Sequence, residues 1–308
     1  MKLKIDFEIP KKVLASNWPS FFLIGSCFAE SQAERMGKMM LDNYSNPFGI
    51  LYNPISIEKI IRRISNNQKY STTNFDYRKD YFSFEHHGNF KYKTVENAIT
   101  DSNKKLDDAH TFLKNANVVV LTLGTSLVYI QDNEVVANCH KLPNNEFEQR
   151  QLSFDEVKTS IENIIQNIRI INAHAHILFT VSPIRHLRSG IKESSRTKAV
   201  LLAAIHQVIE TLDNVSYFPS FEIFIDELRD YRFAKEDLTH PSLQAENYIW
   251  ERFCETYFSS ETIKILKDAN KYNQFASHRP IHSNELHNLQ VAEKKSALLN
   301  KHPFLNIK

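Results

Sequence analysis

Phe21-Phe22-Leu23-Ile24-Gly25-Ser26 carries four apolar residues straight into a glycine and a hydroxyl, and a helical pattern runs from Phe28 through Met40. An apolar run of that length without polar alternation suits a strand whose sheet is covered by helices on both faces. Residues 118–123, 177–181 and 215–218 read the same way. Helical stripes separate these runs. Residues 153–171 place Phe154, Val157, Ile161, Ile164, Ile165 and Ile168 three and four apart, and residues 192–212 repeat the pattern through Val200, Leu201, Ile205, Val208 and Ile209. Such alternation implies right-handed βαβ units and a doubly wound α/β sheet.

Some segments depart from it. Residues 81–84 and 90–92 flank His86-His87-Gly88-Asn89 and read as a hairpin, its histidines in a solvated turn, within an insertion over about residues 69–111. Residues 127–131 and 134–138 flank Asp132-Asn133, a pair suited to the positive φ angles of a two-residue hairpin turn. Beyond residue 260 the chain becomes polar and helix-prone, at residues 264–271 and 283–300. The expected organisation is one α/β domain over residues 1–260 and a helical extension over residues 261–308 packed on it.

Composition narrows the function. The 308 residues are 42% hydrophobic and 24% charged, ordinary globular values. Lys and Arg number 38 against 36 Asp and Glu, so the clustered basic excess of a nucleic-acid binder is missing. The basic doublets Lys11-Lys12, Arg62-Arg63 and Lys294-Lys295 read as solvated faces. Cys27, Cys139 and Cys254 are too far apart for a disulfide framework or a four-cysteine zinc site. Charges in the first eight residues leave no apolar signal block, and no stretch reaches the ~20 apolar residues of a membrane span. A cytoplasmic protein acting without metal, cofactor, membrane or nucleic acid is expected.

Chemistry points to the strand ends. Gly25, Gly49 and Gly124 lie at or just after strand ends, where open parallel sheets place their ligand crevice. Ser26 at a strand-to-helix turn faces the positive end of a helix dipole, a seat for an acyl-transfer nucleophile. It is equally a helix N-cap. Cys27, a thiol alternative at the same helix start, is expected to point into the helix–sheet interface. Asp237-Leu238-Thr239-His240-Pro241-Ser242 sets a carboxylate three residues before an imidazole, close enough to fix its tautomer. On its own that pair also reads as the approach to a helix.

Gly25-Ser26-Cys27-Phe28-Ala29 resembles the signature of the GSCFA family, grouped with the SGNH (GDSL-like) hydrolases. Five further segments are similar to that family in the same order. They are Asn46-Pro47-Phe48-Gly49-Ile50-Leu51-Tyr52-Asn53-Pro54, Leu123-Gly124-Thr125-Ser126, Asn138-Cys139-His140-Lys141, Ser182-Pro183-Ile184-Arg185-His186, and Tyr231-Arg232-Phe233-Ala234 with Asp237 and His240. The resemblance covers roughly residues 20–255. It implies a three-layer α/β/α sandwich with a mainly parallel, flavodoxin-like sheet. It also implies Ser26 as nucleophile, His240 as base, Asp237 as orienting acid, and the Ser26 and Gly49 N–H groups as oxyanion donors.

The implied activity is hydrolysis of carboxylic esters, short acyl groups on a small molecule or carbohydrate being the expected substrate. O-acyl transfer and non-catalytic ligand binding are the alternatives. One departure stands out. Many SGNH enzymes read Gly-x-Asn-Asp in the third block, whereas here Thr125, Ser126 and Leu127 follow Gly124. The missing side-chain donor could be replaced by Ser126, Asn46, Asn138 or His140, and the sequence does not choose among them. Arg185 and His186, just past a strand end, are further candidates for substrate contact.

Overall fold

Alternate residues of the first strand face opposite layers, and this alternation organises the molecule. The computed structural model describes Ile5, residues 7–278 and residues 284–305. Residues 1–4 and Ser283, where the sequence reading starts its last helix, lie outside the described residues. Strand β1 (Phe21–Gly25) leads into helix α1 (Cys27–Lys38), strand β2 (Asn43–Ser45) and helix α2 (Pro54–Ser65). A small hairpin, β3 (Asp76–Tyr77) and β4 (Tyr81–Phe82), precedes α3 (Val95–Asn115) and β5 (Val118–Leu123). Strands β6 (Leu127–Gln131), β7 (Glu134–Val136) and β8 (Glu148–Gln151) form a separate three-stranded antiparallel sheet ordered β7-β6-β8. Then come α4 (Phe154–Ile171), β9 (His176–Val181), α5 (Ile191–Ile209), β10 (Val215–Tyr217), the one-turn α6 (Ser220–Glu222) and α7 (Leu243–Tyr257). Helices α8 (Ser260–Ser277) and α9 (Asn284–Lys301) close the chain.

The main sheet runs β10-β9-β5-β1-β2, and all of its pairings are parallel. Counted along the chain this is the order 2-1-3-4-5 of a flavodoxin-like sheet. Phe22 and Ile24 join Val119, Leu121, Ile177 and Phe179 beneath α2, α3, α4 and α5. Phe21 and Leu23 join Val118, Val120 and Leu178 beneath α1 and α7. The result is a three-layer α/β/α sandwich, as the apolar runs require. Local signals start the helices: Asn53 caps α2 ahead of Pro54, and Ser153 with Glu156 forms a capping box on α4.

Four local expectations need correction. Residues 95–111 belong to the sandwich, because α3 buries Ala98, Leu106 and Ala109 in its core. Tyr81 and Phe82 pair with Asp76 and Tyr77, and residues 90–92 contribute only the single bridge Tyr81–Tyr92. His86 is fully buried, stacked on Phe48 with ring centroids 4.6 Å apart. Arg63 is buried too. It pairs with both Glu85 carboxylate oxygens, at 2.9 and 3.0 Å, and ties α2 to the inserted segment.

Gly25 makes the tightest approach in the sheet. Its φ is +141°, and a Cβ there would sit 2.2 Å from the Thr122 carbonyl oxygen of β5. That neighbour is backbone and cannot step aside. Gly25→Ala is therefore expected to cost roughly 3 kcal/mol or more, read as a lowered urea midpoint at unchanged m-value.

Candidate active site

The sheet order reverses between β1 and β5, which opens a crevice beyond their carboxyl ends. The segments after β1, β2, β5 and β9 all lie along that edge, bringing together Gly25-Ser26, Asn46–Gly49, Gly124–Ser126 and Ser182–His186. Cross-strand bonds fix them. Leu51 N–H donates to the Gly25 carbonyl at 2.9 Å, and Gly124 N–H donates to the Tyr52 carbonyl at 2.8 Å.

Ser26 is the N-cap of α1, and its Oγ accepts from Phe28 N–H at 3.3 Å. Its own N–H continues the ladder to the Thr122 carbonyl at 3.1 Å. Among the described residues no acceptor takes the Ser26 hydroxyl proton, and the side chain has no solvent-exposed surface. The capping geometry holds Oγ at the positive end of the twelve-residue α1.

Asp237 and His240 occupy a tight hairpin closed by the Ala234–Pro241 bridge, with Leu238 at φ +59°. Asp237 Oδ1 accepts from the Thr239 and His240 N–H groups, both at 2.9 Å. Its Oδ2 meets His240 Nδ1 at 2.5 Å. The two backbone donors, ahead of the imidazole, hold the Asp237 carboxyl well below the usual carboxylate range. An ionised Asp237 accepts a proton from Nδ1, which leaves Nε2 as the basic ring atom.

The hairpin feeds α7, and α7 is tied to the helix that Ser26 starts. Ser31 Oγ donates to Glu246 Oε2 at 3.0 Å, and Arg35 donates to Asn247 Oδ1 at 2.6 Å. The two chemical halves are thus carried by neighbouring helices. Among the described residues no hydrogen bond joins Ser26 Oγ to His240.

Between the two halves lie groups that the sequence reading passed over. The Tyr52 ring meets His186 edge to face at 5.1 Å, and burial together with the charges of Cys27 and Glu30 pushes its phenol up to about 12. His186 is held down to about 4 by burial, then by the positive charges of Lys198 and His240. Its Nε2 is buried without a partner. Lys198, on α5, is buried with Nζ donating to the Ser182 carbonyl at 2.7 Å, and burial and Arg185 lower it to about 7. Tyr52 lay within a quoted motif, but Lys198 sits in an ordinary helical stripe and gave no sign.

The other expected site residues sort by position. Gly49 N–H is taken by the Asn46 carbonyl at 2.8 Å, which leaves it no free donor. Ser126 is fully buried and donates to the Thr197 carbonyl at 3.2 Å, bracing the end of β5 against α5. Asn138 Oδ1 caps the His140 N–H at 2.8 Å. His140 is buried against Phe82, with Nε2 on the Ser83 carbonyl at 2.9 Å, and burial brings it down to about 4. These two residues belong to the inserted segment's packing. Arg185 lies over Phe221 and reaches Ser195 Oγ at 3.2 Å. Cys27 is partly covered, and burial raises its thiol, opposite to what a nucleophilic thiolate needs. Asn46 Oδ1 accepts from Gly25 N–H at 2.8 Å, beside Ser26.

An open groove of about 740 Å³ lies between the small β7-β6-β8 sheet and the start of α5, lined by Tyr129, Phe147, Gln149, Gln151, Arg188 and Arg196 among others. Among the described residues no group of three or more His, Cys, Asp or Glu is placed to hold a metal ion, and no helix is long and apolar enough to cross a membrane. The arrangement offers a buried hydroxyl at a helix start, an oriented imidazole–carboxylate pair nearby, and amide groups between strand ends.

The model of the GSCFA family matches residues 20–253. No curated protein matches significantly. Solved structures with some similarity include an acetyl esterase serine-to-alanine mutant with acetate ion, at 11% identity and TM-score 0.36, covering 81% of this chain and 99% of that one. A carbohydrate esterase family 3 from Talaromyces cellulolyticus gives 10% identity and TM-score 0.39, with coverage of 81% and 99%. The Clostridium thermocellum family 3 carbohydrate esterase gives 12% identity and TM-score 0.35, with coverage of 81% and 97%.

Proposed function

The chain belongs to the GSCFA family, and from that premise we propose that it is an SGNH-type serine hydrolase of carboxylic esters. The observation that carries the reading is the Asp237–His240 pair, its tautomer set by a 2.5 Å contact, on a hairpin whose helix is bonded to the helix capped by Ser26. In this mechanism His240 Nε2 takes the Ser26 proton while Oγ attacks the ester carbonyl. The alkoxide leaves with that proton, and an acyl-enzyme remains on Ser26. Water, activated by the same imidazole, then releases the acid. Acyl transfer to a sugar hydroxyl uses the same steps with a different acceptor. The catalytic unit spans residues 1–260, with α8 and α9 as an extension.

Ser26 is covered in the resting structure, so acylation requires movement at the crevice mouth. Asp237 and His240, with side chains 48% and 41% exposed, are the part of the proposed site open to solvent. The substrate follows from the surroundings. A covered hydroxyl favours a short acyl group such as acetyl.

A fluorophosphonate probe tests the reading. Mass spectrometry is expected to find one adduct, on Ser26, and p-nitrophenyl acetate hydrolysis is expected to disappear in Ser26→Ala. A folded wild-type protein that takes no label and hydrolyses nothing above background would instead be a ligand-binding relative.

A further inference from the structure

We propose that the side-chain amide of Asn46 is the oxyanion donor of this site, standing in for the third-block asparagine that the chain lacks. The inference rests on the serine-hydrolase reading above. It starts from which donors beside Ser26 are free. Ser26 N–H is held by the Thr122 carbonyl and Gly49 N–H by the Asn46 carbonyl. The Ser126 hydroxyl is held by the Thr197 carbonyl. His140 Nε2 is on the Ser83 carbonyl, and Asn138, whose Oδ1 accepts from His140 N–H, lies against Gly88, so both pack on the inserted segment.

Asn46 differs from all of these. It follows β2 directly, its N–H donates to the Leu23 carbonyl at 2.9 Å, and its φ of +41° is one that asparagine tolerates better than most residues. Its Oδ1 must be the oxygen, because the Gly25 N–H donates to it at 2.8 Å. That fixes the amide orientation by its partner. The nitrogen shares the same carbon and is therefore held beside the Gly25–Ser26 peptide. Asn46 is only 7% exposed, and among the described residues its buried Nδ2 has no acceptor.

An amide nitrogen left without an acceptor in a low-dielectric setting is destabilising, and one held beside the attacking hydroxyl is a donor ready for the charge that appears there in the reaction. As the Ser26 Oγ–carbon bond forms and the carbonyl π pair moves onto oxygen, the Ser26 proton passes to His240 Nε2. The Asn46 Nδ2–H group then donates to the new oxyanion. Gly25 holds the donor in place before the reaction begins, so no reorganisation is needed at that moment.

Asn46→Asp keeps the oxygen that accepts from Gly25 and removes the donor. With p-nitrophenyl acetate, kcat is expected to fall ~10²–10³-fold with KM within a few-fold of wild type. Inhibition by methylboronic acid, which forms a tetrahedral adduct on serine, is expected to weaken in parallel, and thermal unfolding to stay near wild type. Equal kcat in variant and wild type overturns the assignment while leaving the hydrolase reading intact. A wild-type protein that neither hydrolyses the ester nor takes a fluorophosphonate overturns both. If the variant does not fold, wild-type protein with 15N-labelled asparagine decides. The Asn46 side-chain amide protons are expected to move downfield on boronate binding, and resonances that stay in place reject the role.

Discussion

Asp237→Asn is expected to lower kcat on the order of 10⁴-fold while leaving the fold in place. The asparagine oxygen can still accept from Thr239 and His240 N–H, now at 2.9 Å, so the hairpin keeps its turn. The other atom changes from acceptor to donor. Facing His240 Nδ1, an amide NH₂ makes that nitrogen the acceptor and drives the ring proton to Nε2, the atom that receives the Ser26 proton in the proposed mechanism. A factor of 10⁴ corresponds to about 5 kcal/mol of lost transition-state stabilisation. Steady-state kinetics alongside thermal unfolding checks it, and a loss below tenfold would remove Asp237 from the mechanism. Because the Asp237 carboxyl lies well below the ordinary range, it stays ionised through mildly acidic solution, and any acid limb of activity must come from another group.

The second large effect concerns stability in acid. Burial holds His86 down to about 3, helped by the charges of His140 and Arg63, and holds His140, His176 and His186 to about 4. All four are neutral in the folded chain where an unfolded histidine, with a pKa of roughly 6.5, binds a proton. Between pH ~6.5 and ~4 the unfolded state therefore takes up more protons, and stability falls as pH falls. It is complete above ~6.5. Each histidine contributes a slope of about 1.4 kcal/mol per pH unit in that window.

His86 isolates one share of the slope. Neither of its ring nitrogens has a partner, and the ring sits among Phe48, Tyr70, Phe75 and Phe90. His86→Phe is expected to be neutral or stabilising at pH 7, and to flatten the acid slope by about 1.4 kcal/mol per unit. Urea midpoints measured from pH 7 to 4 would show it. An unchanged slope would mean that His86 does not resist protonation.

The sheet was legible because burial on both faces writes itself as continuous apolar runs, as in Phe21-Phe22-Leu23-Ile24 and Val118-Val119-Val120-Leu121. The Asp132-Asn133 turn was legible from local chemistry, and both residues take positive φ, +49° and +64°. Strand β8 was not. Glu148-Gln149-Arg150-Gln151 is wholly polar and pairs only with β6, at the edge of the small sheet, so no apolar signal marks it. Helix α3 was mistaken in part for insertion because its buried face interleaves small residues, Ala98, Ser102 and Ala109, with only Leu106 and Leu113, a weaker signal than a full stripe of Leu or Ile.

At the site, motif order drew attention to Ser26, Asp237 and His240. The state of the oxyanion donors was out of reach, since Ser126, Gly49 and Asn46 differ only in which carbonyl or amide each meets across the fold. Arg63 and His86 read as solvated for the same reason. Their burial depends on Glu85 and Phe48, partners that spacing along the chain does not reveal.

The docking of α7 on α1 has a consequence for biosynthesis. Ser26 is synthesised well before His240, so on the proposed mechanism a growing chain carries the hydroxyl without its base until the Asp237–His240 hairpin is made. On that mechanism turnover starts only once α7 has docked on α1, and so reads out this long-range closure.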